Sequence, residues 1–234
     1  MIIAFEGIDG AGKNTLVNAV EAELISQELP VARVGFPRYE DSVHAQLVQQ
    51  ALNGQMGDLI DSINGMATLF ALDRAEIAQD LAQLDEDGYV VLLDRFVASN
   101  AAYSAARVLT GEGATGSSSA QGDAIADMPV VEWVENLEFD SLGSPVPDLQ
   151  IFVDASVATA QERAKEREAV DATRARDAYE ANSTLQENTR AAYQSLAANN
   201  WVSPWLVVES ATGGVQKRAE QLAAEIAAAY NDAE

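Results

Sequence analysis

A glycine-rich segment near the amino terminus constrains this chain more than any other feature. It reads Gly7-Ile8-Asp9-Gly10-Ala11-Gly12-Lys13-Asn14-Thr15, and it stands between an apolar run typical of a buried strand and a helical pattern. Glycines let backbone N–H groups converge on a phosphate, the helix amino end adds positive potential, and Lys13 supplies a mobile charge. The segment therefore predicts a loop that binds the phosphates of a ligand through Gly7, Gly10, Ala11, Gly12, Lys13, Asn14 and Thr15.

One position of this loop departs from the usual pattern. A Ser or Thr commonly follows the lysine and binds magnesium through its hydroxyl, whereas Asn14 stands there in this chain and Thr15 comes next. The loop itself therefore brings only one cation to a polyphosphate. A glycine-rich turn without a ligand is the ordinary alternative, and the spacing, the flanking elements and the lysine together disfavour it.

Short aliphatic runs alternate with helical patterns along the chain. Strands are predicted at Ile2 to Glu6, Val31 to Gly35, Tyr89 to Asp94, Leu149 to Asp154 and Trp205 to Glu209. Helices are predicted at Thr15 to Glu28, Ser42 to Leu52, Asp61 to Leu84 with Asp61 as N-cap, and at about 96–109, 129–142, 156–168, 177–198 and 214–230. This order predicts an α/β fold, a doubly wound five-stranded parallel sheet flanked by helices, in one domain over 1–234.

One segment interrupts the alternation. Thr110 to Asp127 is rich in Gly, Ser and Ala and shows no hydrophobic period. We interpret it as a flexible surface loop with nothing to anchor it to the core.

The charge balance excludes several classes of function. With 37 Asp and Glu against 14 Lys and Arg, the net charge of -23 repels nucleic acid and anionic lipid. The chain has no cysteine and one histidine, His44, so thiolate chemistry and multi-histidine metal centres are excluded. No signal peptide is visible, and no apolar run reaches the roughly 20 residues of a membrane helix. We expect a cytoplasmic protein without nucleic acid or membrane partners.

Six motifs in a fixed order carry a family resemblance. They are Phe5-Glu6-Gly7-Ile8-Asp9-Gly10-Ala11-Gly12-Lys13, Phe36-Pro37-Arg38-Tyr39, Leu72-Asp73-Arg74, Asp94-Arg95-Phe96, Ser99-Asn100-Ala101-Ala102-Tyr103 and Pro147-Asp148-Leu149. In this order and spacing the chain resembles thymidylate kinases from Met1 to about Val208. The resemblance implies a P-loop nucleoside monophosphate kinase fold with a mobile lid, transfer of the γ-phosphoryl group of ATP to dTMP, Mg²⁺ as cofactor, and a homodimer.

The residue inventory suits phosphoryl transfer. A phosphate acceptor is already a nucleophile, and catalysis consists mainly of alignment and neutralisation of charge. No histidine base is required, so we interpret His44 as a residue on a helix surface.

The acceptor site is predicted from pairs on two helices. Phe70 and Arg74 are four residues apart and share one helix face; pattern alone favours a core residue and a surface ion-pair partner, whereas the resemblance implies stacking on thymine and contact with its carbonyl. Asn100 can read a base edge, and the ring of Tyr103 can exclude a 2'-hydroxyl. Arg95, with Arg38 and Tyr39, is placed to hold the acceptor phosphate. The predicted dTMP residues are Phe36, Arg38, Tyr39, Phe70, Arg74, Arg95, Asn100, Tyr103 and Tyr179.

A basic cluster predicts the lid. Five of the 14 Lys and Arg residues lie between Arg163 and Arg176. A solvated helix is the ordinary interpretation, but a triphosphate needs more charge than Lys13 provides, and the family has its lid here, at about 160–177. The predicted catalytic residues are Lys13, Arg95, Asp9, Arg163, Arg167 and Arg174, with Arg176 as a further contact to the ATP phosphates.

The resemblance also implies a magnesium site. Asp177 and Glu180 are three residues apart and would join Asp9 around the ion, since carboxylates suit Mg²⁺. Asp94 either acts in the water shell of the metal or holds the loop at Arg95.

Three other functions can be compared with the sequence, which argues against one of them. A kinase for another deoxynucleotide or deoxynucleoside is the nearest. A GTPase-type switch would need an Asn-Lys-x-Asp motif, which the chain lacks. A non-catalytic nucleotide-binding module is supported only by Asn14.

Overall fold

Five parallel strands form the centre of the fold. In the computed structural model they are β1 (Ile2–Glu6), β2 (Val31–Gly35), β3 (Val90–Asp94), β4 (Leu149–Asp154) and β5 (Trp205–Glu209). They pair in the order β2-β3-β1-β4-β5, with every neighbouring pair parallel. The structure describes residues 1–111, 122–170, 177–210 and 214–233, without the side chains of 123, 167–170 and 233. The predicted five-stranded parallel sheet is confirmed.

Helices connect and cover the strands. They are α1 (Lys13–Ser26), α2 (Val43–Leu52), α3 (Ile63–Ala75), α4 (Ala78–Glu86), α5 (Val97–Leu109), α6 (Pro129–Glu135), α7 (Val157–Val170), α8 (Ala178–Ala181), α9 (Ser183–Ala198) and α10 (Val215–Ala233). Short 3₁₀ turns occupy Gly57–Asp61 and Gly122–Ile125, and Asn136–Ser141 is π-helical. Helix α1 packs against α10, and α5 packs against α6 and α9.

Two predicted helices are in fact broken. The helix predicted over Asp61 to Leu84 begins after Ser62, whose Oγ accepts from the N–H of Gly65 (3.0 Å), so Ser62 rather than Asp61 is the N-cap. It also divides between Ala75 and Ala78. The helix predicted over 177–198 divides at Asn182, because its Oδ1 accepts from the N–H of Leu185 (3.0 Å) and so caps α9.

The segment after α5 is partly anchored. Ile125 is only 2% exposed within the main core, and the N–H of Ala126 donates to Ser195 Oγ (3.0 Å). The expectation that nothing in Thr110 to Asp127 anchors to the core is therefore wrong for its last part. Residues 112–121 lie outside the described residues.

The core positions the loops that follow the strands. Residues Ile2 to Phe5 and Val90 to Leu93 are almost completely buried, as expected for central strands covered on both faces. Because the strands are parallel, the segments after β1, β2 and β3 emerge at one edge of the sheet, where open α/β sheets bind ligands. No helix in the described ranges is long and apolar enough to cross a membrane.

Candidate active site

The phosphate loop turns sharply between β1 and α1. Gly10 has φ 76°, and a Cβ there would lie 2.1 Å from the backbone oxygen of Ala160, so only glycine fits. Gly12, with φ 94°, is the N-cap of α1. The amino end of this helix is thus available to an anion.

Lys13 is buried at the start of α1. Its Nζ donates to the backbone oxygens of Gly7 (2.9 Å) and Ile8 (3.0 Å). Burial and the neighbouring Arg95 lower the pKa of Lys13 to about 8, although Asp9 opposes them. The next residue, Asn14, accepts a hydrogen bond from Asn18 through Oδ1 (3.2 Å). A phosphate oxygen beside Lys13 would stabilise its charged form.

A cavity of about 670 Å³, called here the loop cavity, opens beside the phosphate loop and β5. Arg163 of α7 lines it, and Nη1 of this residue donates to the backbone oxygen of Ala11 (3.2 Å) and to Ser210 Oγ (2.7 Å). Gly12 and Thr15 line it as well. The structure therefore places the predicted lid residue Arg163 against the phosphate loop. The side chains of Arg167, Arg174 and Arg176 lie outside the described residues.

A second cavity, of about 570 Å³, contains most of the predicted acceptor residues, and we call it the aromatic cavity. Its walls combine aromatic rings, three arginines, amide groups and carboxylates. The predicted residues that line it are Asp9, Phe36, Tyr39, Phe70, Arg74, Arg95, Asn100, Tyr103, Asp177, Tyr179 and Glu180. Residues from five separate parts of the chain are thus brought to one place.

Two predicted residues are placed elsewhere. Arg38 donates from Nε to Asp73 (3.0 Å) and from Nη2 to Glu76 (2.6 Å), so carboxylates occupy its guanidinium group. Asp94 lies 3.7 Å from Arg33 and lines neither cavity. Both partners of Arg38 are more than 30 residues away in sequence, and for this reason the motif alone did not indicate them.

Arg95 connects the aromatic cavity to the phosphate loop. Its backbone has φ 67°, a left-handed conformation that residues other than glycine rarely adopt. The following N–H, of Phe96, donates to the buried carboxylate of Glu6 (2.7 Å) and thereby supports this conformation. The guanidinium group of Arg95 donates to the backbone oxygen of Gly7 (3.0 Å) and forms an ion pair with Asp9.

Asp9 is held ionised by its neighbours. Burial alone would raise its pKa, but Arg95 and Lys13 lower the pKa of Asp9 to about 2. The hydroxyl of Tyr103 also donates to Asp9 Oδ2 (2.7 Å). The ring of Tyr103 stacks on Tyr179 with centroids 5.9 Å apart and planes inclined by 15°. One wall of the cavity is thereby fixed in place.

Another wall carries Arg74 and Asn100. Arg74 is 2% exposed, and its Nε donates to Glu138 Oε2 (2.8 Å) within an ion pair. Its guanidinium carbon lies 6.0 Å from the ring centroid of Phe36. Arg74 is therefore a buried residue at the cavity, and not the surface ion-pair partner that pattern alone favoured.

The predicted metal residues share the aromatic cavity without forming a closed site. Asp177 Oδ1 accepts from the N–H groups of Tyr179 (2.8 Å) and Glu180 (2.9 Å) and caps α8. Burial and the charge of Asp9 raise the pKa of Asp177. Within the described ranges no three Asp, Glu or His side chains are grouped closely enough to hold an ion by themselves.

Sequence reasoning missed several residues that hold this site. Glu6 is fully buried, and burial raises its pKa although Tyr193 donates to its carboxylate (3.1 Å). Arg107 donates to the hydroxyl of Tyr179 (2.8 Å). Glu138 binds Arg74 from a segment that reads as an ordinary acidic helix. An acidic residue at the end of the apolar run before the loop was a usable signal for Glu6; the other residues offered none.

The fold and the two cavities define the class of protein. A phosphate loop between β1 and α1, with a second cavity at the same edge of a parallel sheet, is the arrangement of a P-loop phosphotransferase. The chain matches the family model described as Thymidylate kinase over residues 5–217. The chain belongs to the thymidylate kinase family.

Individual relatives agree with this assignment. A thymidylate kinase of Mycobacterium tuberculosis is 46% identical over 208 residues, which cover 89% of this chain and 91% of the relative. One from Thermosipho melanesiensis is 30% identical over 173 residues, 72% of each protein. The solved structure of thymidylate kinase from Candida albicans superposes with a TM-score of 0.72 over 98% of this chain and 92% of that one, at 22% identity. This last similarity concerns the fold.

Proposed function

We propose that this chain transfers the γ-phosphoryl group of ATP to dTMP, giving ADP and dTDP. The observation that carries the proposal is the position of Arg95, which donates to Gly7 of the phosphate loop and itself lines the aromatic cavity. A donor phosphate on the loop and an acceptor phosphate in the aromatic cavity would meet at this residue. Family membership supports the same reaction.

The proposed chemistry needs alignment and charge, and no base. An oxygen of the acceptor phosphate forms a bond to the γ-phosphorus while the bond from that phosphorus to the β,γ-bridging oxygen breaks, and ADP leaves with the electron pair. Lys13 and Arg95 neutralise the charge that develops. Arg163 reaches the loop already, and Arg167, Arg174 and Arg176 are proposed to add charge from the lid.

Mg²⁺ is the proposed cofactor. Asp9 and Asp177 line the same cavity, and the charge of Asp9 raises the pKa of Asp177, a repulsion that a bound cation would relieve. Magnesium takes one or two carboxylates and completes its shell with water and phosphate oxygens, which agrees with the open arrangement of Asp9, Asp177 and Glu180. When bound, the ion would neutralise phosphate charge.

The homodimer and the cytoplasmic location stay predictions.

An acceptor panel tests the proposed function. Purified protein is assayed with ATP and Mg²⁺ against dTMP, dUMP, dCMP, dGMP, the ribose form of TMP, and thymidine, and we expect dTMP to give the highest kcat/KM. Preference for another acceptor would establish the other-nucleotide alternative. If every acceptor were inert while ATP still bound, the chain would be a non-catalytic nucleotide-binding module.

The proposed role of the lid has its own variant. We expect Arg163→Ala to lower kcat by about 100-fold, because a donor of charge is lost from the transition state. Lys165→Ala is the matched control, since it removes an exposed cation from the same helix. Equal effects of the two substitutions would contradict a specific role of Arg163.

A further inference from the structure

A buried carboxylate, Glu138, contacts two residues of the aromatic cavity. It lies in the π-helical segment Asn136–Ser141, and it is fully buried. It forms an ion pair with Arg74, and its Oε1 accepts a hydrogen bond from Asn100 Nδ2 (2.7 Å). Its own backbone oxygen accepts from the N–H of Ser144 (2.9 Å). Glu138 does not line the cavity, so any influence on a ligand passes through its two partners.

These contacts fix which atom of Asn100 can meet a ligand. Nδ2 donates both to the backbone oxygen of Ala67 (2.9 Å) and to Glu138, so both amide hydrogens are used. A rotated amide would place Oδ1 against two acceptors. Within the described ranges Gln186 Oε1 is the sole fully buried side-chain nitrogen or oxygen without a hydrogen-bond partner. Asn100 Oδ1 accepts no hydrogen bond there, and it therefore retains access to the cavity as an acceptor.

The contacts with Glu138 also fix which nitrogen of Arg74 can meet a ligand. Its Nε and Nη2 both donate to Glu138, which leaves Nη1 as the nitrogen without a partner in the described part of the chain. A guanidinium nitrogen can only donate. The wall therefore offers one donor, from Arg74, and one acceptor, from Asn100, in fixed positions.

This pair matches one type of pyrimidine edge. Thymine and uracil present an acceptor at O4 and a donor at N3–H, so Arg74 and Asn100 can satisfy both. Cytosine presents an amino donor at position 4 and an acceptor at N3. Arg74 would then place a donor against a donor, and Asn100 Oδ1 would place an acceptor against an acceptor. A mismatch of this kind leaves buried polar groups unpaired and is penalised strongly.

We propose that Glu138 is a positioning residue that makes the site specific for 4-oxo pyrimidine nucleotides over 4-amino ones. The inference rests on the proposed function, because it concerns the acceptor of the same reaction. Glu138 acts by holding the guanidinium group of Arg74 and the amide of Asn100 before any ligand arrives. No other ionisable side chain in the described part of the chain forms hydrogen bonds with both residues.

The test compares three acceptors in one variant. For Glu138→Ala, kcat/KM is measured with dTMP, dUMP and dCMP. We expect the ratio of kcat/KM for dTMP to that for dCMP to fall at least about tenfold. Without Glu138, the guanidinium group of Arg74 is no longer held with an N–H directed at position 4 of the base. The dTMP-to-dUMP ratio should stay within about twofold, since these bases share the same polar edge. Glu135→Ala is the matched control. Glu135 lies about one helical turn before Glu138, and its carboxylate accepts a hydrogen bond from Trp201 (2.8 Å) and not from a residue of the cavity.

Two failures are distinguishable in this assay. If the wild-type protein does not phosphorylate dTMP, the proposed function fails. If it does, and Glu138→Ala lowers all three kcat/KM values by the same factor, Glu138 is merely structural and the inference is overturned.

A measurement on the wild-type protein covers the case in which the variant does not fold. In the free protein the side-chain amide protons of Asn100, assigned by their loss in Asn100→Asp, should exchange slowly with water because both are hydrogen-bonded. They should change little in chemical shift when dTMP binds. Fast exchange in the free protein, or a large shift on binding, would show that the ligand sets the amide orientation and would overturn the proposal.

Discussion

At the scale of single residues, Tyr103 combines two functions that substitutions can separate. Its hydroxyl binds Asp9 and its ring forms a wall of the aromatic cavity. We expect Tyr103→Phe to lower kcat/KM for dTMP about tenfold, the worth of a hydrogen bond to a charged group, while discrimination against the ribose form persists. Tyr103→Ala should lose that discrimination, because the space for a 2'-hydroxyl opens. Steady-state kinetics with both sugars measures this.

The opposite pattern would be informative. If Tyr103→Phe accepted the ribose form as readily as Tyr103→Ala, the hydroxyl and its link to Asp9 would carry the sugar selectivity, and the steric argument would be wrong.

The lowered pKa of Lys13 predicts the pH dependence of ATP binding. A bound triphosphate stabilises the charged lysine and raises its pKa above the value of about 8 in the free protein. Binding should therefore take up a proton above pH 8, and affinity should fall by up to about tenfold per pH unit. Calorimetry in two buffers of different ionisation enthalpy measures the uptake. Lys13→Ala should abolish it, and uptake that persists in this variant would assign the proton to another group.

The same shift acts on stability with a definite sign. Because the pKa of Lys13 is lower in the folded protein than in the unfolded chain, the unfolded chain binds more protons between the two values. The contribution of Lys13 therefore increases the free energy of unfolding as pH rises from about 8 toward the ordinary lysine pKa near 10.5.

Motifs predicted residues that line the aromatic cavity, but not the buried residues that hold them in place. Arg95, Asn100 and Tyr103 follow recognisable patterns. Glu138 lies in no motif, and its partners Arg74 and Asn100 lie 64 and 38 positions away in the chain. Glu6 ends the apolar run before the loop, but Ser99 and Tyr193, which bind its carboxylate, lie 93 and 187 positions away. Only the folded topology joins these residues. Arg38 shows the converse. It lies within a motif, but its guanidinium group binds the carboxylates of Asp73 in α3 and of Glu76 just after α3.

At the scale of elements, the strands were predictable and several helix ends were not. A buried parallel strand is a short apolar run, and this signal is local. The break between α3 and α4 has no such signal: Glu76 stands there and binds both Arg38 and His44, the latter through Nδ1 (2.6 Å). A side chain such as that of Asn182 can either cap a new helix or lie within a continuous one. Sequence periodicity does not show which of these two outcomes occurs.

The phosphate loop depends on its contact with α7. We expect Gly10→Ala to abolish measurable ATP binding, because the new Cβ would overlap the backbone oxygen of Ala160. Binding of dTMP, measured separately by calorimetry, should be weakened far less. Gly54→Ala is the matched control: its φ of 72° is equally strained for alanine, but nothing lies within 4 Å. We expect the control to cost about 1 kcal/mol of stability and to bind ATP normally, and comparable loss of ATP binding in both variants would refute the steric cause.

At the scale of the whole molecule, the net charge of -23 predicts a protein that salt stabilises. Like charges repel more in the compact state, and salt at about 0.1 M screens them beyond about 10 Å. We expect Tm to rise by about 5 °C between low salt and about 0.5 M NaCl. Choline chloride should act like NaCl, and an uncharged osmolyte at equal osmolality should serve as control. A Tm that is independent of salt would show that local pairs already balance the charge.

The strand order also bears on how the protein is made. Of the five strands, β1 is translated before the others and becomes the central one, and its two neighbours are β3 at Val90–Asp94 and β4 at Leu149–Asp154. At about 5–20 residues per second, β1 must wait for seconds before either edge is covered. Arg163 and Ser210, which support the phosphate loop, are translated later still. The phosphate loop therefore leaves the ribosome well before the residues that complete its support.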